Sequence, residues 1–569
     1  MASLNDNLIR LSDARDDIIS AISEMGGTVS NLDGFEDFPD DIRSIPTGSP
    51  SVLDKLKEIE IVRFFDWDGT LLHKYTKDEF LALDSLPENP NNPNMISQGW
   101  NWTLSDAKDY VQTYGMLDIG QYAKWDWNSI ATQDQLNGIT TINFDVTDKS
   151  NRYHVQLGLD EGSSMSIDFG DGTEIVTTTS SSASHYYNAV GNYTIKIQVS
   201  GTFHLINRSS TTQNILYYYK NSSYYFLRYN SIEFGYNLTA LSDSAFSSQS
   251  TITSVILPPS VTTLPINAFS GCESLTDIKL TGDITSMSSG TFKNVPIKNI
   301  AIPSSLTTIS GYTTGLDFMD SSIEYITFPN ISSYMPISCF QRAYRLRNIS
   351  LSNTTKTYTT CFSACPNLEA VTTNQPFYCA NVLTSLEKVS YPSIGGTHAY
   401  YVIIPKFTVC KNTNIYNCGE TLVLRNTDST SVSFTINSSS TGNLEQYLKC
   451  LIIDSSNVTT LSLTSLQALK EIRFGNNSIT SISINNCYGV EYIDIPMSYT
   501  NIDSSMISNF FNSAHLTTIK FMNSTPPTLA SQFTPARNDL KIYIPQGSLS
   551  AYTSATNYPS TDVCEYIEY

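Results

Sequence analysis

Two aspartates that stand two positions apart, Asp66 and Asp68, are the residues in this 569-residue chain whose types and spacing could do chemistry. They follow the largely apolar run 61–65 and precede Gly69 and Thr70. A carboxylate can act as a nucleophile in covalent catalysis or as a general acid or base. Catalysis by this pair is therefore the first enzymatic hypothesis.

The run Asp66-Trp67-Asp68-Gly69-Thr70 resembles the nucleophile motif of haloacid-dehalogenase-type phosphatases. That resemblance implies that Asp66 attacks phosphorus and that Asp68 serves as acid and base. It also implies a later lysine and an acidic pair on further parallel strands, where they would hold magnesium. Up to residue 138 the sequence offers helix candidates at 76–83 and 104–114, and no acidic pair that closes a strand. A turn between two strands accounts for the same motif without catalysis, because Asp side chains accept turn hydrogen bonds and Gly adopts positive φ. We expect no enzyme, no catalytic residue and no cofactor.

A run of short strand signals between Ile232 and Pro545 fills more than half of the sequence. Each signal alternates apolar and polar residues, which is typical of a strand with one buried face. Equivalent residues recur every 22 to 26 positions, the spacing of leucine-rich repeats. They are Ile232, Val255, Ile278, Ile300, Ile326, Ile349 and Val371. The period slips after residue 384 and recovers from Ile452 onward.

A second phrase comes before several strands and places a Phe, a Cys or Ala, and a Leu at fixed offsets, as in 268–275 and 361–368. These residues suit the packed interior between one coil and the next. Together with the endings at 526–529 and 540–552, they resemble the BspA-type leucine-rich repeats and their terminal cap. The resemblance implies a solenoid that binds a partner and not one that catalyses a reaction.

Alternation of apolar residues with period two begins near residue 140 and indicates a β-sandwich. Three stretches resemble the polycystic-kidney-disease immunoglobulin-like domain, with Phe169 where that family has Trp: residues 166–173, 185–187 and 191–199. Asp168 and Asp171 could be read as calcium ligands. Roles in turns and strand ends are favoured, because no third carboxylate accompanies them.

The first 25 residues repeat apolar side chains at spacings of three and four, which predicts a short heptad helix or an amphipathic helix packed on its own domain. Residues 64–120 resemble a module that recurs in tail-associated proteins of phages and prophages. Residues 217–219 and 224–226 are rich in tyrosine. They either cap the first coil or form a platform on which glycans stack.

The predicted fold class is mainly β and multidomain, with a small α/β N-terminal module, an immunoglobulin-like β-sandwich, and a leucine-rich-repeat solenoid with a C-terminal cap. The predicted boundaries are 1–50 for a helical attachment and oligomerisation segment, 51–138 for the phage-type α/β module, 139–202 for the sandwich, 203–230 for an aromatic junction, 231–525 for the repeats and 526–569 for the cap.

A formal charge of -20 argues against nucleic acid or an anionic membrane as a partner, because both would repel the chain. All 10 cysteines lie from Cys272 onward and several occupy the interior repeat position, so we expect free buried thiols. No CxxC pair suggests zinc. We also expect no signal peptide and no membrane span.

Repeats of a surface-protein type, in a chain with no predicted signal peptide or membrane span, favour a phage virion protein. We expect it in a tail fibre or the baseplate, where it attaches to the host. A head fibre or capsid decoration protein would carry the same domains, while a bacterial surface adhesin predicts a secretion signal and an anchor. The expected partners are other virion proteins through the N-terminus and a host-surface glycan or protein through the repeats. We expect a homo-oligomer, most simply a trimer, and assembly in the host cytoplasm.

Overall fold

The structure is a computed structural model, and its described part excludes the predicted heptad helix. It describes residues 55–57, 60–206, 215–220, 223–310, 317–331, 335–352, 361–362, 365, 367–368, 370–372, 388–390, 407–410, 421–424, 432–437, 448–454, 458–475 and 478–569. The chain forms two compact units, Met1–Lys55 and Leu56–Tyr569, and the strands and helices below belong to the second. No helix in the described ranges is long and apolar enough to cross a membrane.

Residues 60–130, here called the α/β module, form a four-stranded sheet with helices on one face. The strands are β1 (Ile61–Phe65), β2 (Leu71–Thr76), β3 (Met95–Trp100) and β4 (Leu117–Trp125), in the order β2-β1-β4-β3. β1 and β4 are parallel, and the other two pairs are antiparallel. The helices are α1 (Lys77–Leu81), with a capping box between Thr76 and Glu79, and α2 (Leu104–Tyr114), which ends at Gly115 with φ of 81°.

Two short helices, α3 (Trp127–Ile130) and α4 (Gln133–Leu136), lead from the α/β module to the sandwich. The buried Gln135 side-chain amide donates a hydrogen bond to the Phe234 carbonyl oxygen over 3.2 Å. The Tyr236 N–H donates to the Gln135 carbonyl oxygen over 3.1 Å. This connection is therefore packed against the start of the repeats and is not a free linker.

The sandwich has two larger sheets, ordered β15-β5-β11-β8-β9 and β10-β6-β13-β14, and a small one, β16-β12-β7. Their strands are β5 (Ile139–Val146), β6 (Arg152–Gln156), β7 (Gly158–Leu159), β8 (Ser164–Asp168), β9 (Val176–Thr178), β10 (Ser182–His185), β11 (Gly191–Ser200), β12 (Phe203–His204), β13 (Leu216–Lys220), β14 (Ser223–Phe226), β15 (Tyr229–Glu233) and β16 (Leu238–Ala240). Strands from the predicted junction thus belong to the sandwich sheets. Ile232, in the first repeat, pairs with Ile142 of β5.

The repeat array, residues 229–569, is a parallel stack with one strand per turn. A twelve-stranded sheet runs through β22 (Tyr325–Thr327), β23 (Asn348–Ser350), β24 (Ala370–Thr372), β25 (Lys388–Ser390), β26 (Phe407–Cys410), β27 (Thr421–Leu424), β29 (Cys450–Ile453), β31 (Glu471–Phe474), β33 (Tyr492–Ile495), β35 (Thr518–Phe521), β37 (Lys541–Ile544) and β38 (Glu565–Glu568). Before it, β17 (Ser254–Leu257) pairs with β19 (Asp277–Leu280).

Short strands on a second side of the coils form three further parallel sheets. They are β18 (Thr263–Leu264), β20 (Ser286–Met287) and β21 (Thr308–Ile309); β28 (Val432–Asn437), β30 (Val458–Thr464) and β32 (Ser481–Asn485); and β34 (Asn501–Ile502) with β36 (Thr528–Leu529). Helices α5 (Ser504–Met506) and α6 (Leu549–Thr553) and a π-helix (Ile507–Phe511) lie near the C-terminus.

A stack of phenylalanine rings holds the first coils together. Neighbouring ring centroids are 5.1 to 5.8 Å apart. The rings belong to Phe246, Phe269, Phe292, Phe318, Phe340 and Phe362. Residues two positions before or after these rings adopt positive φ, for example Asn267 (52°) and Gly271 (74°) on either side of Phe269. Ser, Asn and Gly recur there because they tolerate the left-handed conformation.

One continuous hydrophobic core extends from Ile142 in the sandwich to Cys564 in the last coil. The sandwich therefore closes the N-terminal end of the solenoid without a gap in the packing, as a terminal cap must. The predicted fold class is confirmed: the chain is mainly β, with a small α/β module ahead of a sandwich and a repeat solenoid.

Candidate functional site: the strand face of the repeat array

The outward side of the twelve-stranded parallel sheet, here called the strand face, is the largest regular surface of the array. The side chains of its central row change along the described strands from small and polar, to apolar, and then mostly to charged and aromatic. The row begins with Thr327 and Ser350, continues with Val423 and Ile452, and ends with Arg473, Asp494, Lys520, Tyr543 and Ile567. The described members of this row from Thr327 to Asp494 are buried, whereas Lys520, Tyr543 and Ile567 are partly exposed and can serve a contact.

The α/β module lies on the first part of the strand face and is bound there by buried hydrogen bonds. The Ser350 hydroxyl donates to the Asp118 carbonyl oxygen over 2.7 Å. The Trp102 indole N–H donates to the Leu351 carbonyl oxygen over 2.8 Å, and the Tyr122 hydroxyl donates to the Phe328 carbonyl oxygen over 3.2 Å. Because these donors and acceptors are buried, separating the surfaces would leave them unpaired unless water replaced each bond.

The two surfaces also meet without room for extra atoms. A β-carbon at Gly120 would lie 2.3 Å from the Thr327 hydroxyl oxygen, and one at Gly69 would lie 2.6 Å from the Tyr325 β-carbon. The Phe65 and Tyr325 rings have centroids 5.4 Å apart. Small residues on both sides thus allow the two sheets to approach closely.

The α/β module also contacts one repeat that lacks its strand. The repeat period predicts a strand at residues 300–303, but the structure has none there, although Ile300 and Ile302 are buried. The Ile302 carbonyl oxygen accepts a hydrogen bond from the Ala123 N–H of the α/β module over 3.3 Å. The α/β module thus donates a hydrogen bond to the backbone of this coil. The strand prediction was wrong at this coil.

Asp66 and Asp68 lie in the hairpin turn between the antiparallel strands β1 and β2. The Asp68 carboxylate accepts a hydrogen bond from the Thr70 N–H over 2.9 Å, and Gly69 has φ of 89°. Asp66 accepts from the Trp67 N–H over 2.7 Å and from the Asn92 amide over 2.9 Å. Burial raises the pKa of the Asp66 carboxyl. The predicted turn is present, and its tip packs on the strand face.

Asp168 and Asp171 both serve the turn after β8. Asp168 accepts from the Gly170 N–H over 2.8 Å. Asp171 accepts from the Thr173 hydroxyl over 2.7 Å, and its second oxygen is 2.7 Å from Nε2 of His185. These contacts match the favoured turn interpretation. Within the described ranges no three potential metal ligands come together.

The described cysteines and Tyr217 of the junction are buried. The seven cysteines whose side chains are described are free and buried, which confirms that prediction for them. Burial raises the pKa of the Cys272 thiol to about 12. Tyr218 stacks on Tyr225 with centroids 5.1 Å apart and contacts Tyr153 in the sandwich core at 5.9 Å. Tyr225 remains 42% exposed at the edge of this stack.

Charged and aromatic residues form a connected network on the later part of the strand face. The Arg473 guanidinium lies 4.1 Å from the Tyr492 ring centroid and 3.0 Å from the Glu471 carboxylate. The Tyr492 hydroxyl donates to the Asp494 carboxylate. Farther along, the Lys520 ammonium lies 4.0 Å from the Tyr569 ring centroid. Sequence reasoning missed this network, although charged residues at outward strand positions could have indicated it.

A parallel sheet with one strand per turn, closed around a phenylalanine stack, defines a leucine-rich-repeat solenoid. The family model described as "BspA type Leucine rich repeat region" matches six copies, over residues 203–314, 316–394 and 430–555. The chain belongs to this family. The predicted resemblance of the repeats is thereby confirmed.

Solved structures with distant similarity were also found. A leucine-rich repeat protein from Bacteroides ovatus is 16% identical, covers 60% of this chain and 95% of its own, and has a TM-score of 0.30. A leucine-rich cell surface protein from Faecalibacterium prausnitzii is 18% identical, with coverages of 64% and 90% and a TM-score of 0.24. The pneumococcal vaccine antigen PcpA is 15% identical, with coverages of 58% and 85% and a TM-score of 0.22. No curated protein matches the sequence.

Proposed function

We propose that this chain is a structural protein of a phage virion, in the tail fibre or baseplate, and that its repeat array attaches the particle to the host surface. The proposal rests on the repeat family, whose solenoids present long binding surfaces, and on the resemblance of residues 64–120 to a phage tail-associated module. The N-terminal segment 1–50 then contacts other virion proteins and assembles copies of the chain as a trimer.

The observation that carries the binding part of this proposal is the division of the strand face. The α/β module occupies the part around Thr327 and Ser350 through buried contacts. A host partner must therefore use another surface. The strand face around Lys520 and Tyr569 is the best candidate, because Tyr569 is 49% exposed and its ring lies beside a lysine.

The proposal is tested on virions. Labelled antibody against the array should decorate the tail of purified particles, and the purified full-length chain should compete with adsorption to susceptible cells. Decoration of the capsid would favour the head fibre or decoration alternative. Absence of the chain from particles, together with no effect on adsorption, would contradict a virion role and favour a bacterial surface protein.

A further inference from the structure

Lys520 and Lys541 lie on neighbouring strands near the C-terminal end of the strand face, and neither forms an ion pair with a carboxylate in the described ranges. Lys520 is in register with Tyr543, and Lys541 with Thr518, so both belong to outward rows of β35 and β37. Seven other cationic side chains of the array are paired with carboxylates: Lys279, Lys298, Arg342, Arg345, Lys470, Arg473 and Arg537. In a chain with a formal charge of -20, Lys520 and Lys541 are thus two neighbouring cations without an ion pair in the described part of the chain, on a surface that also carries carboxylates.

An aromatic ring is fixed beside these lysines. The Tyr569 hydroxyl donates to the Phe521 carbonyl oxygen over 3.2 Å, and the Tyr569 N–H donates to the Ile544 carbonyl oxygen over 3.0 Å. Lys520 lies over this ring, whose residue is half exposed. Because the ring is already held, a ligand that stacks on it loses little affinity to side-chain ordering. A tyrosine ring suits the apolar face of a sugar, with polar groups at its rim.

Carboxylates limit how much negative charge this surface accepts. Glu565 is exposed and in register with Lys541, and Asp494 is the register partner of Lys520. Glu568 accepts hydrogen bonds from the Leu549 N–H over 2.8 Å and from the Gln546 amide over 3.2 Å. A long polyanion would meet these carboxylates, whereas one or two acidic groups can reach the lysines alone.

We propose that Lys520, Lys541 and Tyr569 bind an acidic saccharide, a sugar whose carboxylate or phosphate contacts the lysines while its ring stacks on Tyr569. This inference rests on the proposed function, because it names the class of host glycan. It narrows the expected partner from any surface glycan or protein to a charged sugar. A charged sugar satisfies both features of the surface, the unpaired ammonium groups and the fixed ring.

The test is calorimetric titration of the full-length chain with digalacturonate, which carries two carboxylates, with its fully methyl-esterified form as the neutral match. A second arm compares mannose 6-phosphate with mannose and so separates phosphate from carboxylate recognition. We expect at least one acidic probe to bind at least about tenfold more tightly than its neutral match. Lys541→Gln and Tyr569→Ala should each weaken that binding about tenfold, and Glu565→Gln should strengthen it. Lys293→Gln removes another unpaired lysine of the array and should change nothing.

Equal binding of acidic and neutral probes, or no binding of any probe, would overturn the inference. The same holds if Lys541→Gln and Lys293→Gln behave alike while circular dichroism shows both folded. If the chain still competes with phage adsorption in that case, host attachment stands and only the acidic-sugar site fails. Conversely, acidic-sugar binding by a chain that is missing from virions would support the site and contradict the virion role.

Discussion

Gly120 of β4 faces Thr327 of β22 so closely that a β-carbon on the glycine would lie 2.3 Å from the threonine hydroxyl oxygen. The same β-carbon would lie 2.6 Å from the Tyr325 hydroxyl oxygen. Two sheets that are far apart in sequence thus pack with their backbones nearly in contact. The α/β module is therefore a fixed cover of this part of the strand face.

Gly120→Val tests that cover. The added side chain must push the two sheets apart or displace Thr327, so we expect a loss of about 1–3 kcal/mol of stability. Hydrogen exchange should accelerate in β4 and in β22. Gln112→Ala, at an exposed position of α2, is the control and should leave both unchanged. If hydrogen exchange in β22 of the Gly120 variant is unaltered, the contact between the α/β module and the strand face does not protect β22, and the prediction fails.

Phe292→Ala tests the phenylalanine stack. Phe292 is fully buried and contacts Phe269 and Phe318 at 5.8 and 5.5 Å, so its removal opens a cavity on both sides. We expect a loss of about 3–5 kcal/mol in urea unfolding. Tyr344→Ala, at a residue that is 53% exposed, should change stability by less than about 0.5 kcal/mol. Equal effects of the two substitutions would show that the phenylalanine stack does not stabilise the array.

The repeat fold could be predicted from sequence because each coil repeats one local pattern. The outward and inward residues of β17, β19 and β22 follow the alternation seen at Val255, Ile278 and Ile326, and each inward residue is buried. The Asp-Gly-Thr turn was equally local, since its hydrogen bonds join residues within a few positions. Local rules suffice where one supersecondary unit is stacked repeatedly.

The docking of the α/β module could not be predicted, because it joins residues about two hundred positions apart without any periodic signal. Its signature is only small residues, Gly120 on one side and Thr327 and Ser350 on the other. Strand β15 also has two roles, because its Ile232 begins the repeats and pairs with the sandwich strand β5. This pairing could not be predicted either, since it joins distant residues without a periodic signal. Such contacts depend on tertiary packing, which sequence alternation does not encode.

Asp66→Asn tests the absence of phosphatase chemistry. Oδ1 of Asp66 accepts hydrogen bonds from both the Trp67 N–H and the Asn92 amide, and an asparagine oxygen at the same place can accept both. We expect parent and variant to fold alike and neither to hydrolyse p-nitrophenyl phosphate with magnesium. Asp84→Asn, at an exposed position outside the turn, serves as the matched control. Hydrolysis by the parent that disappears in the Asp66 variant would revive the enzyme hypothesis.

The trimer prediction concerns the first 50 residues. Sedimentation of the full-length chain should show three copies, and a chain that begins at residue 51 should sediment as a monomer, because the heptad pattern is then missing. A monomeric full-length chain at high concentration would contradict the prediction. An oligomer that persists without residues 1–50 would instead assign assembly to the sandwich or the array.

Asp317→Asn tests a buried acid in the repeat core. Asp317 is fully buried, and neither carboxyl oxygen has a hydrogen-bond partner of good geometry in the described part of the chain. Burial raises the pKa of Asp317 to about 7, although nearby backbone N–H groups, including those of Gly290 and Thr291, lower it. Between pH 4 and 7 the folded chain then keeps a proton that the unfolded chain has lost. Stability should fall as pH rises through this window and level off above pH 7.

The Asp317→Asn variant has no carboxyl at this position and therefore lacks this pH-dependent loss of stability. Relative to the parent, the unfolding free energy of the variant should rise from pH 4 to pH 8. A shift of about three pKa units corresponds to a change of about 4 kcal/mol in that difference. The measurement is urea unfolding at both pH values. Asp320→Asn, at a partly exposed partner of Arg342, is the control and should show a difference of less than about 1 kcal/mol. A difference for Asp317→Asn that does not change with pH would show that this carboxyl titrates alike in the folded and unfolded chain.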